Sequence, residues 1–127
     1  MAGREAKITP TKIGQFVTLW KRSAAGPIQP FDADDFDLYV VRAHSGTQSG
    51  YFVFPASLLV AQGVVASENR DGKRALRVYP PWDKPTSRQA QKTQDWQTPY
   101  FLTVSENNVD DRALVERLIL PVSASNL

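Results

Sequence analysis

The chain contains no cysteine and only one histidine, His44, among its 127 residues. Without cysteine it can form neither a disulfide nor a thiolate metal site, which fits a reducing compartment, and we expect a cytoplasmic protein. One histidine cannot supply a multi-histidine metal site, and because His44 is predicted to lie in a hairpin turn we expect no catalytic triad. No apolar run reaches the ~18 residues of a membrane span, and residues 1–12 lack the apolar stretch of a secretory signal. We therefore expect no membrane partner.

Length and apolar content nevertheless describe a foldable chain. Hydrophobic residues make up 42% of the sequence, which is enough for a core and too many for a disordered chain. The length is typical of one domain, and no repeat, low-complexity tract or linker divides it. We therefore expect a single domain over residues 1–127.

The net charge of +2 conceals four charged blocks. Residues 1–22 and 70–92 carry net charges of +4 and +5, whereas residues 23–37 and 95–127 carry −4 and −3. Two basic blocks can form a positive face that attracts polyanions such as nucleic acids. A mixed, solvated surface that binds nothing explains the same composition equally well.

The segment after Thr9 predicts a helix, because Thr9 suits the N-cap and Pro10 the first helical position. Apolar residues then recur at the helical spacing i, i+3, i+4 and i+7, namely Ile13, Phe16, Val17 and Trp20. Gly14 and the β-branched residues weaken a helix, so a strand over Gln15–Trp20 is the alternative.

Alternation and capping residues predict the remaining elements. The expected strands are Asp37–Ala43, Gly50–Phe54 and Lys73–Tyr79, and the expected helices are Ala56–Gln62, Arg88–Gln97 and Val109–Leu120. Together they predict an α/β (α+β) protein with a small mixed sheet flanked by helices.

Four blocks of sequence resemble one family of bacterial proteins, the MepB family. The blocks are Ala6–Arg22, Gly50–Pro55, Gly72–Asp83 and Ser87–Phe101. The resemblance spans Ala6 to Phe101 in order and includes the rare sequence Pro80-Pro81-Trp82. It implies a restriction-endonuclease-like fold and DNA binding. Pro99 departs from the family, because it stands where the family's helix is expected to continue.

The beginning of the chain also departs from the resemblance. Family members carry a longer segment before the block that starts at Ala6, whereas only residues 1–5 precede it here. This predicts a domain that lacks the family's N-terminal segment, as a short natural variant or a truncated product. A sheet that has lost strands would expose an edge, and a second copy of the chain could cover that edge in a homodimer.

Glu5 and Lys7 are the weak candidates for catalysis. Glu5-Ala6-Lys7 has the form of the E-x-K half of a PD-(D/E)XK nuclease site, in which carboxylates hold Mg²⁺ and the lysine activates water. Such a site also needs an acidic residue on an earlier strand, and residues 1–4 supply none. We therefore expect no cofactor and no metal site, with Mg²⁺ required only if the nuclease alternative holds. The acidic cluster of Asp32, Asp34, Asp35 and Asp37 is predicted to be a solvated loop.

Cations interleaved with aromatic residues are the main functional signal. Cations neutralise phosphates, and aromatic rings stack on exposed bases. The candidate nucleic-acid-binding residues are Lys7, Lys12, Arg74, Arg77, Tyr79, Trp82 and Lys92. Core packing is the alternative for Tyr79 and Trp82.

The three lysines of this set have specific predicted settings. Lys7 and Lys12 flank the start of the predicted first helix, where free N–H groups favour an anion. Lys92 is predicted to share a polar helix side with Gln94 and Gln97, whose amides can also contact phosphate and sugar.

The leading hypothesis is therefore a non-catalytic, sequence-independent nucleic-acid-binding domain that takes single-stranded or duplex DNA. A metal-dependent or degenerate nuclease and a protein-interaction module remain the alternatives.

Overall fold

A computed structural model gives the fold and describes residues 1–22, 24, 26–68 and 70–104. The helix predicted over Val109–Leu120 lies outside these residues. Within them, the chain forms nine strands and two α-helices, in the order β1 (Ala2–Glu5), β2 (Lys7–Ile8), β3 (Gln15–Thr18), β4 (Trp20–Arg22), β5 (Ile28–Pro30), β6 (Leu38–Ser45), β7 (Gln48–Pro55), α1 (Ala56–Ala61), β8 (Ala75–Val78), α2 (Arg88–Gln97) and β9 (Phe101–Val104).

The larger sheet contains four strands in the order β1-β6-β7-β9. β1 runs parallel to β6, whereas β6, β7 and β9 pair antiparallel, so the sheet is mixed. The hairpin between β6 and β7 turns at Gly46, whose positive φ of 57° glycine adopts without strain. The prediction of a small mixed sheet in an α+β protein is confirmed.

The smaller sheet contains three strands in the order β2-β3-β8, and β4 and β5 form a separate antiparallel pair. Phe16 of β3 lies opposite Lys7 of β2 on one side and opposite Arg77 of β8 on the other. Residues directly opposite each other in antiparallel strands share a face of the sheet. These three side chains therefore form one row across the smaller sheet.

The helix predicted after Thr9 is wrong, and the strand alternative is correct over β3. Val17 and Leu19 are buried at a spacing of two residues, and Gln15 is buried with them. The Gln15 side chain donates from Nε2 to the carbonyl oxygen of His44 at 2.8 Å, which joins β3 to β6. The sequence does not show this alternation as a hydrophobic pattern. The first buried residue, Gln15, is polar, and the exposed residue between Gln15 and Val17 is the apolar Phe16.

The core lies between the two sheets and the helices, and its largest fully buried side chains are Tyr39, Phe52 and Phe54. Phe52 stacks on Phe54 with ring centroids 5.3 Å apart, and Trp96 of α2 packs against Phe54 at 5.6 Å. Such aromatic pairs add to the free energy gained by apolar burial. This packing fixes α2 against the larger sheet.

Both helices in the described part of the chain lie where the sequence places them. α1 ends before Gly63, whose φ of 74° is typical of a residue that follows a helix. α2 begins after Ser87, whose Oγ accepts a hydrogen bond from the backbone N–H of Ala90 at 3.1 Å. As predicted, α2 ends before Pro99, and Thr98–Tyr100 forms a short 3₁₀ turn. Neither helix is long and apolar enough to cross a membrane.

Candidate functional site

Three glutamines on one side of α2 bind this helix to β8 and to the segment between β8 and α2. Gln97 accepts from the backbone N–H of Tyr79 at 2.8 Å and donates to the carbonyl oxygen of Arg77 at 3.0 Å. The Gln94 amide donates to the carbonyl oxygens of Pro80 and Asp83, and Gln91 donates to that of Pro85. The prediction that Gln94 and Gln97 share a polar helix side with Lys92, free to contact phosphate and sugar, is wrong, because their amides bind backbone groups of the protein itself.

Gln97 takes the place of a neighbouring strand along the free edge of β8. It pairs with an N–H and a carbonyl two residues apart, as a strand residue would. Because β8 already pairs with β3 on its other side, this contact satisfies the outer edge. The amide of Gln97 is completely buried. α2 is thereby held at a fixed distance from β8, with an opening left between them.

Arg77 is oriented by the loop between β2 and β3. Its Nη1 donates to Thr9 Oγ1 at 3.0 Å, to the carbonyl oxygen of Gly14 at 3.3 Å and to that of Ile13 at 3.4 Å. Gly14 has a positive φ of 89°, and a Cβ at this position would lie 2.7 Å from the ring of Tyr79. Only glycine therefore allows the loop to approach β8 closely enough to hold Arg77.

Three adjoining depressions lie along α2, and we call them together the cationic groove. The first lies between the β2–β3 loop, β8 and the start of α2, the second between β8 and α2, and the third between α2 and Gln62 at the end of α1. Arg77, Tyr79, Ser87 and Ala90 line both the first and the second depression. Gln89 and Thr93 line both the second and the third. The charged residues that line the groove are all basic, and they are Lys12, Lys73, Arg77, Arg88 and Lys92. Among the described residues, no aspartate or glutamate lines it, although Asp95 is on the same helix.

The lysines and Arg88 of the groove make no ion pair or side-chain hydrogen bond with any residue that the structure describes. Lys12, Lys73, Arg88 and Lys92 are all exposed. A cation that has no protein partner keeps its full charge available to a ligand. The groove is therefore a positive surface that the described part of the protein does not neutralise.

Lys21, on β4, differs from the groove cations because two carboxylates neutralise its charge. Its Nζ lies 2.7 Å from Asp35 Oδ2 and 3.0 Å from Asp32 Oδ2. Burial alone would raise the pKa of the Asp35 carboxyl, but hydrogen bonds from Lys21 and from the Asp32 backbone N–H outweigh it and lower that pKa. Part of the predicted solvated acidic loop thus pairs with the first basic block.

The structure gathers four of the sequence-predicted residues in the groove: Lys12, Arg77, Tyr79 and Lys92. Tyr79 is only 9% exposed, so its ring forms part of the groove wall and has no open face on which a base could stack. Lys7 lies outside the groove lining but in the same row as Arg77.

The structure places Arg74 and Trp82 outside the groove lining. Arg74 is exposed, immediately before β8, and its backbone carbonyl accepts from the N–H of Leu19 at 2.9 Å. Trp82 packs edge-on against Phe101, with ring centroids 5.6 Å apart. Its indole Nε1 is buried and has no hydrogen-bond partner among the described residues.

Two cations and one aromatic residue at or beside the groove are not among the nucleic-acid-binding residues predicted from the sequence. Lys73 and Arg88 line the groove, and Phe16 is exposed in the row between Lys7 and Arg77. Lys73 shares a predicted strand face with Arg77, and that alternation was the available signal. Phe16 could have been found only from the strand alternative, because the helical pattern assigns it to the core.

Glu5 and Lys7 belong to different sheets. Glu5 lies on β1 in the larger sheet and Lys7 on β2 in the smaller one. The Glu5 carboxylate lies 3.3 Å from Arg42 Nη1 and 3.6 Å from His44 Nε2. No helix follows the motif as a nuclease site would require, and among the described residues no group of three or more acidic, histidine or cysteine side chains could hold a metal ion.

The fold and the groove define a small α+β protein with a positively charged surface. Comparison with known proteins adds its family: the MepB-like family model matches residues 1–103, and the chain belongs to this family. A solved structure described as the crystal structure of MepB is 39% identical to it and superposes with a TM-score of 0.76. The match covers 84% of this chain and 70% of that chain. No curated protein matches the chain.

Proposed function

We propose that the protein is a non-catalytic nucleic-acid-binding domain that holds the phosphate backbone along the cationic groove. The observation that carries the proposal is the groove lining, which has five basic side chains and, among the described residues, no acidic one. A phosphate backbone is a regular polyanion, and several lysines and arginines along one groove can bind it without reading sequence.

The shape of the groove also supports this proposal. An extended groove that continues across three depressions suits a linear chain better than a small compact anion. Its first depression reaches the first turn of α2, at Thr86, Ser87 and Ala90. The positive end of the helix dipole adds to the attraction for phosphate there.

The described residues favour binding over cleavage. Glu5 pairs with Arg42 and lies in a different sheet from Lys7, so the two side chains do not form the compact catalytic group of a nuclease. The proposal includes the restriction-endonuclease-like fold that the resemblance implies. In this protein the fold would serve as a scaffold for a binding surface.

We expect the affinity of the wild-type protein for a labelled oligonucleotide to fall steeply as salt is raised. Each phosphate contact contributes about 0.7 to 0.9 to the slope of log K against log salt, so five groove cations give a slope of about −4. A fluorescence-anisotropy titration over a series of salt concentrations measures this slope. An oligonucleotide that does not bind at low salt, or one whose binding does not depend on salt, would overturn the proposal.

A further inference from the structure

Phe16 is exposed in a position where the fold places a cation on each side of it. In the smaller sheet its side chain shares a face with Lys7 on β2 and with Arg77 on β8. Neighbouring strands lie about 4.8 Å apart, so each cation is one strand away from the ring. Arg77 also lines the cationic groove, which brings the ring to the border of that groove.

The ring of Phe16 is partly exposed and lies outside the apolar core that the structure describes. It is 40% exposed, whereas the neighbouring Val17 on the opposite face is 1% exposed. Phe16 belongs to neither of the two apolar clusters and makes no ring contact with another described aromatic residue. Phenylalanine is among the residues most often buried, so a partly exposed ring that lies between two cations is available to a ligand.

The cations beside it indicate the chemistry of that ligand. Lys7 makes no ion pair within the described residues, and only the Nη1 of Arg77 is used by the β2–β3 loop. An apolar protein surface would leave these two charges without partners, whereas a nucleotide chain offers a flat base beside its phosphates. Aromatic rings between cations are the common means by which proteins hold unpaired bases.

We propose that Phe16 stacks on an unpaired base of a single-stranded nucleic acid while Lys7 and Arg77 contact the adjoining phosphates. This inference rests on the proposed function, and it adds a preference for single strands over duplexes. In a duplex each base is covered by its neighbours and offers no face to Phe16. Every base has a flat π face, so the preference does not depend on sequence.

The test compares oligonucleotides that have the same charge but differ in their bases. Labelled thymidine and uridine oligonucleotides of about 12 nucleotides are titrated beside an abasic oligonucleotide of equal length and a duplex. The variants are F16A, F16L, which keeps the apolar volume, and F16Y, which keeps the ring. The matched control is I28A, because Ile28 is 39% exposed and lies opposite Arg22 on a sheet away from the groove.

We expect F16A and F16L to lower the affinity for both single strands about tenfold and to leave abasic and duplex binding unchanged. F16Y and I28A should bind like the wild-type protein, and circular dichroism should show all variants folded. If F16L binds thymidine oligonucleotides as tightly as wild type, or if the loss is equal on the abasic strand, the stacking role is wrong. If the wild-type protein binds no oligonucleotide, including the abasic one, the proposed function itself fails. A protein that binds the abasic and thymidine strands equally keeps the proposed function and loses only this inference.

Discussion

The triple variant K73Q/R88Q/K92Q should bind nucleic acid roughly 10²- to 10³-fold more weakly than the wild-type protein at 50 mM salt. All three side chains line the cationic groove, are exposed, and have no described protein partner. Their replacement therefore removes charge without breaking an interaction of the fold. The slope of log K against log salt should become shallower by about 2 to 3, since three phosphate contacts are lost.

The matched control is R4Q/R22Q/K84Q, which changes the net charge by the same amount. These three residues are also exposed, and none of them lines the groove. If binding depends only on net charge, both triple variants weaken it equally, and the groove has no special role. The proposal requires the control variant to keep most of the affinity and nearly the full salt slope.

Replacement of Gln97 by leucine should lower the free energy of unfolding by about 2 to 5 kcal/mol. The side chain is completely buried, and its amide satisfies the N–H of Tyr79 and the carbonyl oxygen of Arg77. Leucine has similar size but can satisfy neither group, and each buried group left unpaired costs about 1 to 3 kcal/mol. Urea unfolding followed by circular dichroism measures the difference.

Gln91→Leu on the same helix is the comparison for this effect. Gln91 is exposed, and within the described residues its side chain makes one hydrogen bond, to the carbonyl oxygen of Pro85 at 3.1 Å. Water can replace that bond, so we expect a loss below about 1 kcal/mol. Equal losses for the two variants would contradict the role of Gln97 in joining α2 to β8.

The elements that the sequence predicts correctly carry their signals locally. β6 and β7 are rich in β-branched and aromatic residues around a glycine turn, and α2 has its own cap in Ser87 and its own stop before Pro99. The error falls on β3, where local and tertiary signals disagree. Buried Gln15 is stabilised by a hydrogen bond to His44, 29 residues away, which no local pattern contains.

The site could be predicted only in part for the same reason. The basic block and the alternation on β8 bring Arg77 and Lys92 into the candidate set, because these depend on nearby residues. Phe16 becomes a candidate only through its register with Lys7 and Arg77, and that register depends on the pairing of three distant strands. The inward orientation of Gln94 and Gln97 likewise depends on backbone groups of another element.

The most direct test of the central claim is a chemical-shift map of the wild-type protein during titration with a thymidine oligonucleotide. The amide signals that move should belong to β8, to the first turns of α2 and to the loop around Lys12, because these segments line the cationic groove. The signals of β4 and β5, where Lys21 is already paired with Asp32 and Asp35, should stay in place. Shifts that concentrate on β4 and β5, or the absence of any shift at low salt, would contradict the account.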